Sequence, residues 1–393
     1  MAGSVIVAGA RTPIGKLSGG FSSLSAAELG GHAIKAALER AGVAPGEVDH
    51  VIMGQVLMAG QGQVPSRQAA VNAGIPLSVP AVNVNKVCLS GLNAIYQADQ
   101  MIRAGDASIV VAGGMESMTN APYLAPGARS GFRYGDVSLK DAITADGLWC
   151  AFDNELMGLA TDKYTGDSIS RAEMDEVAAA SHERAAAAIK DGRLAAEIVP
   201  VSIPQRRGEP IVVDEDEGVR PGTTAESLGA LRPAFKPDGS ITAGNASQIS
   251  DGGSAVVVMS ADTAAARGLT PLGEIVSYGM VAGPDNPSLN LQPANAIRQA
   301  LAKAQLSVSD VSLFELNEAF AAVGIASARD LGVSLDVVNV NGGAIALGHP
   351  IGMSGNRLAL TLLHELARRG GGVGAAALCG GGGQGDAIVL RVG

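Results

Sequence analysis

Asn85-Lys86-Val87-Cys88-Leu89-Ser90-Gly91 places a thiol at the start of a helical pattern that runs through Ile95, Met101 and Ile102 and stops at Gly105. Unpaired N–H groups and the positive dipole end of a helix start favour an anion, so this position predicts a lowered pKa and a larger thiolate fraction for Cys88. Small Ser90 and Gly91 leave room for a substrate. The plain alternative is a buried structural cysteine packing as a small hydrophobe. A second stretch, Asn341-Gly342-Gly343-Ala344-Ile345-Ala346-Leu347-Gly348-His349-Pro350-Ile351-Gly352, holds a histidine between glycine and proline at a helix entrance. An imidazole there suits proton exchange with a nearby thiol; capping or packing is the alternative. Asn317-Glu318-Ala319-Phe320 opens a helix directly after a strand. Asn is a preferred N-cap, and its amide is also suited to hold a water or donate to an oxyanion. Cys379-Gly380-Gly381-Gly382-Gly383-Gln384-Gly385 formally satisfies a dinucleotide fingerprint, but no helix and no acidic residue about 20 positions on can follow it. It reads better as backbone approaching a reacting centre, its glycine N–H groups aimed at an oxyanion.

The elements that position these residues follow in order. Ser4 to Ala8 reads as a strand, and the Gly9–Lys16 run after it lacks the spacing and the Ser/Thr of a phosphate loop. Ser25-Ala26-Ala27-Glu28 is a capping box opening a helix that ends near Gly42. A strand at Val48–Gly54, a helical piece at Gln68–Gly74, the Cys88 helix and a strand at Ser108–Ala112 come next. Strands alternating with helices imply a mostly parallel sheet covered on both faces. From Thr119 to Thr242 the texture changes to Pro/Gly-rich turns around one clear helix, capped by Ser170-Arg171-Ala172-Glu173 and ending near Ile189; Asp214-Glu215-Asp216-Glu217 reads as a solvated acidic turn. This block is an insertion, and excursions of that length build binding surface. Gly252–Met259 returns to a strand. The C-terminal part repeats the grammar: helix Pro293–Ala304, strand Val311–Glu315, helix Glu318–Leu331, strand Val337–Val340, helix Ile351–Arg369, strand Val373–Cys379. The pattern predicts two similar α/β domains facing each other, with Cys88 and His349 at equivalent helix starts brought together by a pseudo-twofold.

The 393 residues suffice for two or three domains, and 47% hydrophobic against 17% charged permits a large core. A net charge of −10 and 3% aromatics argue against nucleic acid and an anionic membrane surface; local N–H groups and arginines still permit a phosphorylated small ligand. Three cysteines, Cys88, Cys150 and Cys379, cannot pair evenly. With no secretory segment and no membrane-length apolar run, the expectation is a cytoplasmic protein with reduced thiols and no metal site.

Five motifs in order, Asn85-x-x-Cys88-x-Ser90-Gly91, Asn317-Glu318-Ala319-Phe320, Asn339-Val340-Asn341-Gly342-Gly343, Gly348-His349-Pro350 and Cys379-x-Gly-Gly-Gly-Gln384-Gly385, make the chain resemble a thiolase from end to end. The resemblance implies an α/β thiolase fold: two similar mixed-sheet domains forming an αβαβα layered core, with a loop domain inserted in the first. The expected divisions are 1–118 plus 243–270, 119–242 and 271–393. It implies that Cys88 is the acylated nucleophile, His349 its base and Cys379 the acid/base at the α-carbon. Asn317 with His349 would form one oxyanion hole, and the N–H groups of Cys88 and Gly381 the other. Met157, Arg220, Ser227, Phe235, Ala243 and Ser247, with Ala319 and Phe320, stand where the family contacts coenzyme A, whose thioesters are substrates, with no further cofactor. Leu89 stands where many members carry Ala or Gly, and Leu156 where acetoacetyl-specific members usually carry His. The implied activity is reversible condensation of two acetyl-CoA; a 3-ketoacyl-CoA thiolase for longer chains and a non-catalytic acyl-CoA or lipid-binding protein are the alternatives. A dimer of dimers in fatty acid metabolism is implied, the second interface lying near Phe132 and Tyr134.

Overall fold

The computed structural model describes residues 3–393. Nine strands form one sheet: β1 (Ser4–Arg11), β2 (His50–Gly54), β3 (Ala81–Val84), β4 (Ile109–Ser117), β5 (Ser250–Ser260), β6 (Gly273–Ala282), β7 (Leu313–Leu316), β8 (Gly372–Gly380) and β9 (Gln384–Val392). Their order is β7-β8-β9-β6-β1-β5-β4-β2-β3, with Gly15–Lys16 pairing on β5 as a short tenth strand. The halves meet where Val5 and Ile6 of β1 pair with Glu274 and Gly273 of β6. Outward from that seam, β1-β5-β4-β2-β3 mirrors β6-β9-β8-β7, and a single bridge from Phe314 to Val338 stands where the first half has all of β3.

The described residues form eight helices of eight residues or more: α1 (Ala26–Ala41), α2 (Pro65–Asn72), α3 (Ser90–Ala104), α4 (Met157–Thr165), α5 (Arg171–Lys190), α6 (Gln292–Ala304), α7 (Ala321–Leu331) and α8 (Ser354–Arg368), besides shorter turns. The Ser25 and Ser170 capping boxes form as expected, and left-handed Gly42 and Gly105 end α1 and α3. Helices α3 and α8 lie in the middle. Leu92 and Ile95 of α3 and Leu358 and Leu362 of α8 share one core with Val110 and Val256 of the first half and Leu378 and Ile388 of the second. The α1 and α2 residues cover the outer face of the first half, and those of α6 and α7 the outer face of the second. The layers are therefore αβαβα.

Four expectations need correction. The sheet is mixed, not mostly parallel: β1·β5, β5·β4, β6·β9 and β9·β8 are antiparallel, and only β2·β4, β2·β3 and β7·β8 are parallel. Apolar periodicity reports burial but not strand direction. The strand expected at Val337–Val340 is a 3₁₀ turn, Leu335–Val337, plus the Val338 bridge, because left-handed Asn339 ends extension at once. Helix α7 starts at Ala321, so Asn317 is not its N-cap; Phe320 stands there. The acidic turn is not uniformly solvated: Asp216 is buried and takes both Nη atoms of fully buried Arg11, at 2.7 and 2.9 Å. Arg11 Nε also donates to Glu197 (2.7 Å). This anchor binds the excursion, which leaves the sheet after Ser117 and re-enters at Ser250, to β1. No helix among the described residues is long and apolar enough to cross a membrane.

Candidate active site

The Cys88 turn is built from its own side chains. Asn85 Oδ1 accepts from Val87 N–H (3.1 Å), and Ser90 Oγ accepts from Lys86 N–H (2.8 Å) while donating to the Val87 carbonyl (2.6 Å). Between them Val87 is held at φ +50. A β-branched residue avoids that region, and such strain costs about 1–3 kcal/mol. The turn buries Cys88, whose sulfur is within reach of its own N–H and that of Gly381. The lowered pKa expected of Cys88 is not found. Burial pushes the thiol up to about 12, outweighing those N–H groups, while the Glu116 carboxylate adds to the rise. Helix α3 begins only at Ser90, so its dipole does not overcome desolvation.

His349 lies between two helices, five residues before α8, on backbone set by Gly348 at φ +112. A Cβ on Gly348 would lie 2.4 Å from Ser250 Oγ. His349 N–H donates to the Gln248 carbonyl (3.1 Å) and to Ser250 Oγ (3.2 Å). Ser354 Oγ sits 2.5 Å from His349 Nδ1 and donates its one proton to the Pro350 carbonyl (2.9 Å). The hydroxyl is therefore the acceptor for Nδ1–H, which leaves the lone pair on Nε2. Asn317 Nδ2 is 3.3 Å from that nitrogen, and Asn317 Oδ1 is buried without a hydrogen-bond partner. Burial, with the Arg357 charge, pulls the imidazole down to about 3, so it is neutral across the physiological range.

Cys379 is the last residue but one of β8, opposite Gly385 of β9, and is fully buried. Burial and then the nearby Cys88 sulfur hold its thiol above the usual range. The glycines after it run along the Cys88 turn. A Cβ on Gly380 would lie 2.6 Å from the Leu89 side chain, and one on Gly381 would lie 3.3 Å from Val87 and 3.7 Å from Met157 Sδ. The α3 and α8 helices bring the two halves of the site together by crossing backbone to backbone. A Cβ on Gly91 would meet Gly352 O at 2.8 Å, and one on Gly355 would meet Leu92 N at 2.5 Å.

A cavity of about 590 Å³ leads from the surface to His349. Of the residues expected to contact coenzyme A, Met157, Arg220, Phe235, Ala243, Ser247 and Phe320 line it. Ser227 and Ala319 do not: Ser227 caps a one-turn helix with Thr224, and Ala319 packs with Cys150, Met157, Leu289, Val323 and Cys379. Sequence reading missed Lys16, Leu17, Met118, Leu148, Gln248, Ile249 and Ile351, which come from separate segments with no shared pattern. Gly158, read with Met157 as standing where the family contacts coenzyme A, also lines the cavity, and any Cβ there would lie 2.2 Å from the Phe235 ring. Among the described residues, no three His, Cys, Asp or Glu side chains are placed to hold a metal ion.

Family models describe the same chain. The thiolase N-terminal domain matches residues 4–262, and the thiolase C-terminal domain residues 269–392. Over 394 residues, the chain is 58% identical to a probable acetyl-CoA acetyltransferase of Mycobacterium tuberculosis (strain ATCC 25618 / H37Rv), covering 100% of both chains. It is 51% identical to an acetyl-CoA acetyltransferase of Pseudomonas aeruginosa and 50% identical to one of Cupriavidus necator, each over 98% of both chains. Fold, site and matched models make the protein an acyltransferase that takes acyl-CoA substrates. It belongs to the thiolase family.

Proposed function

We propose that the protein is an acetyl-CoA C-acetyltransferase that reversibly condenses two acetyl-CoA into acetoacetyl-CoA and coenzyme A. The observation that carries this reading is the meeting of Cys88, Cys379 and the Gly381 N–H, together with a cavity that has a neutral His349 in its wall. In the first half-reaction the Cys88 proton passes to His349 Nε2, and the thiolate adds to the thioester carbonyl. The developing oxyanion takes the N–H groups of Cys88 and Gly381. Collapse breaks the carbon–sulfur bond to coenzyme A, whose thiolate takes the Cys379 proton, leaving acetyl-Cys88, the Cys379 thiolate and a protonated His349. In the second, Cys379 as thiolate removes a proton from the methyl group of another acetyl-CoA. The enolate oxygen is held by Asn317 and the Nε2–H of protonated His349, the carbanion attacks acetyl-Cys88, and the leaving Cys88 thiolate regains its proton from His349. This order gives ping-pong kinetics.

Short acyl groups are favoured by the packing around Cys379. Cys379 is wholly buried and packs with Cys150, Met157, Leu289, Ala319 and Val323. Exposed Phe132 and Tyr134, in a segment held only by the two-residue strands Tyr123–Leu124 and Lys140–Asp141, support a dimer of dimers. Three free cysteines support a reducing, cytoplasmic setting.

The test is acetyl-CoA labelling followed by peptide mass spectrometry, alongside steady-state rates on acetoacetyl-CoA and a long 3-ketoacyl-CoA. An acetyl adduct on Cys88 and preference for the short substrate are expected. Preference for the long one makes the protein a 3-ketoacyl-CoA thiolase; no adduct makes it a non-catalytic binder.

A further inference from the structure

Lys86 and Asp386 come from opposite sides of the site. Lys86 precedes Cys88 by two residues, and Asp386 lies on β9, just after the glycine run that follows Cys379. Their side chains meet, Lys86 Nζ to Asp386 Oδ1 at 2.7 Å, with the carboxylate wholly buried and the lysine side chain 22% exposed. Asp386 Oδ2 accepts from the Tyr278 hydroxyl (2.7 Å). The Tyr278 ring, on β6, stacks on Tyr96 of α3 with centroids 4.6 Å apart. Contacts therefore run from the turn to β9, to β6, and back to the helix that the turn opens.

An ion pair at this depth adds little stability, because desolvating both charges offsets most of their attraction. What it does add is a fixed position for the backbone on one side of Val87. Asn85, on the same side, and Ser90, on the other, also hold amides of the turn, but Ser90 moves with α3, Asn85 Oδ1 bonds only within the turn, and Asn85 Nδ2 donates to the Val56 carbonyl at 3.4 Å. The lysine is the anchor that ties the turn to the strand leading out of the glycine run.

We propose that Lys86, Asp386 and Tyr278 form a positioning clamp on the nucleophile turn, holding Val87 at positive φ so that the Cys88 sulfur stays against the Gly381 N–H. The proposal rests on reading Cys88 as the acylated residue. With the clamp open, Val87 relaxes to negative φ and rotates the Val87–Cys88 peptide. The Cys88 N–H and sulfur then leave their places together, while the cavity residues, carried on other segments, stay where they are.

The experiment compares Lys86→Met, Lys86→Arg, Lys86→Met/Asp386→Asn, and that double variant with Val87→Gly added. Acetylation of Cys88 by saturating acetyl-CoA is followed in a single turnover by quench and mass spectrometry, and coenzyme A affinity and thermal stability are measured in parallel. Lys86→Met is expected to acetylate about tenfold more slowly or worse, as release of a strained φ permits, with coenzyme A affinity unchanged. Lys86→Arg keeps the rate. The double variant regains stability, because no charge is left buried alone, yet stays slow. Adding Val87→Gly restores most of the rate, because glycine takes positive φ without a clamp.

Recovery of rate together with stability in the double variant makes the pair merely structural and overturns the proposal, as does a wild-type rate in Lys86→Met. Hydrogen exchange of the Lys86 and Val87 amides gives a readout independent of chemistry: it should quicken in the double variant but not in Lys86→Arg, and unchanged exchange overturns the clamp. If wild-type Cys88 takes no acetyl group, the functional reading fails, and this exchange still decides the clamp.

Discussion

At the scale of single residues, the site pairs two groups that are both neutral at rest. Burial holds Cys88 near 12 and His349 near 3, so lowering the pH to 6 does not charge the imidazole and raising it to 8 does not ionise the thiol. The kcat/KM for acetylation should therefore show no limb from this pair between about pH 6 and about pH 8; a limb there would put the charged pair in the free enzyme. The two thiols should separate by role. Cys88→Ala is expected to lose acetylation and turnover, whereas Cys379→Ala still acetylates Cys88 but loses condensation, because thioester exchange removes no proton from carbon. Equal loss of acetylation in both would refute the assignment. Ser354→Ala removes the acceptor for His349 Nδ1–H and frees the tautomer. A hydrogen bond of this kind is worth about 1–2 kcal/mol, so kcat should fall about five- to thirtyfold, with Ser354→Thr retaining most of it and the imidazole nitrogen NMR shifts reporting the tautomer. Cys88, His349 and Cys379 stood out as candidates because few residue types can do such chemistry and each lies next to a turn between elements. The rise in the Cys88 pKa was not legible, because it comes from side chains packed around the thiol from distant segments. Nor does any local signal put valine at positive φ or join Lys86 to Asp386.

At the scale of elements, the crossing of α3 and α8 decides where the reactive groups meet. A methyl group on Gly355 would lie 2.5 Å from the Leu92 backbone nitrogen, which no rotamer change can relieve. Gly355→Ala should therefore push the helices apart, destabilising the protein by about 1–3 kcal/mol in chemical denaturation and slowing acetylation. A stability and rate equal to wild type would mean that the crossing tolerates wider spacing. Helices were the most legible elements: the Ser25 and Ser170 capping boxes and the stops at Gly42 and Gly105 are local chemistry. Strand direction was not legible, since it depends on which strands become neighbours. Asp216 was misread for a related reason, its partner Arg11 lying about two hundred residues earlier.

At the scale of the molecule, the repeat of strand, helix and strand around Cys88 and around His349 was visible as a pattern of elements although the halves differ in sequence, whereas β6, at the seam, and β9 were not read as strands. What breaks the symmetry, a full β3 in one half against a single bridge at Val338 in the other, was hidden by the valines of Val337–Val340, which read as strand. The segment with Phe132 and Tyr134 carries a prediction for the assembly. Shortening it between Ala125 and Gly135 should convert a tetramer into a folded, active dimer in light scattering; a wild type that is itself dimeric at micromolar concentration counts against it. The central position of α3 and α8 also has a consequence for how the chain is made. Leu92 and Ile95 leave the ribosome long before Leu358 and Leu362, which share their core. At ordinary elongation rates of about 5–20 residues per second, the apolar face of α3 waits on the order of tens of seconds for its cover. During that wait the nascent chain holds the first domain's sheet with one side bare. Chaperone capture is therefore expected on translation intermediates that already contain α3 and β4, and it should end only once α8 has emerged.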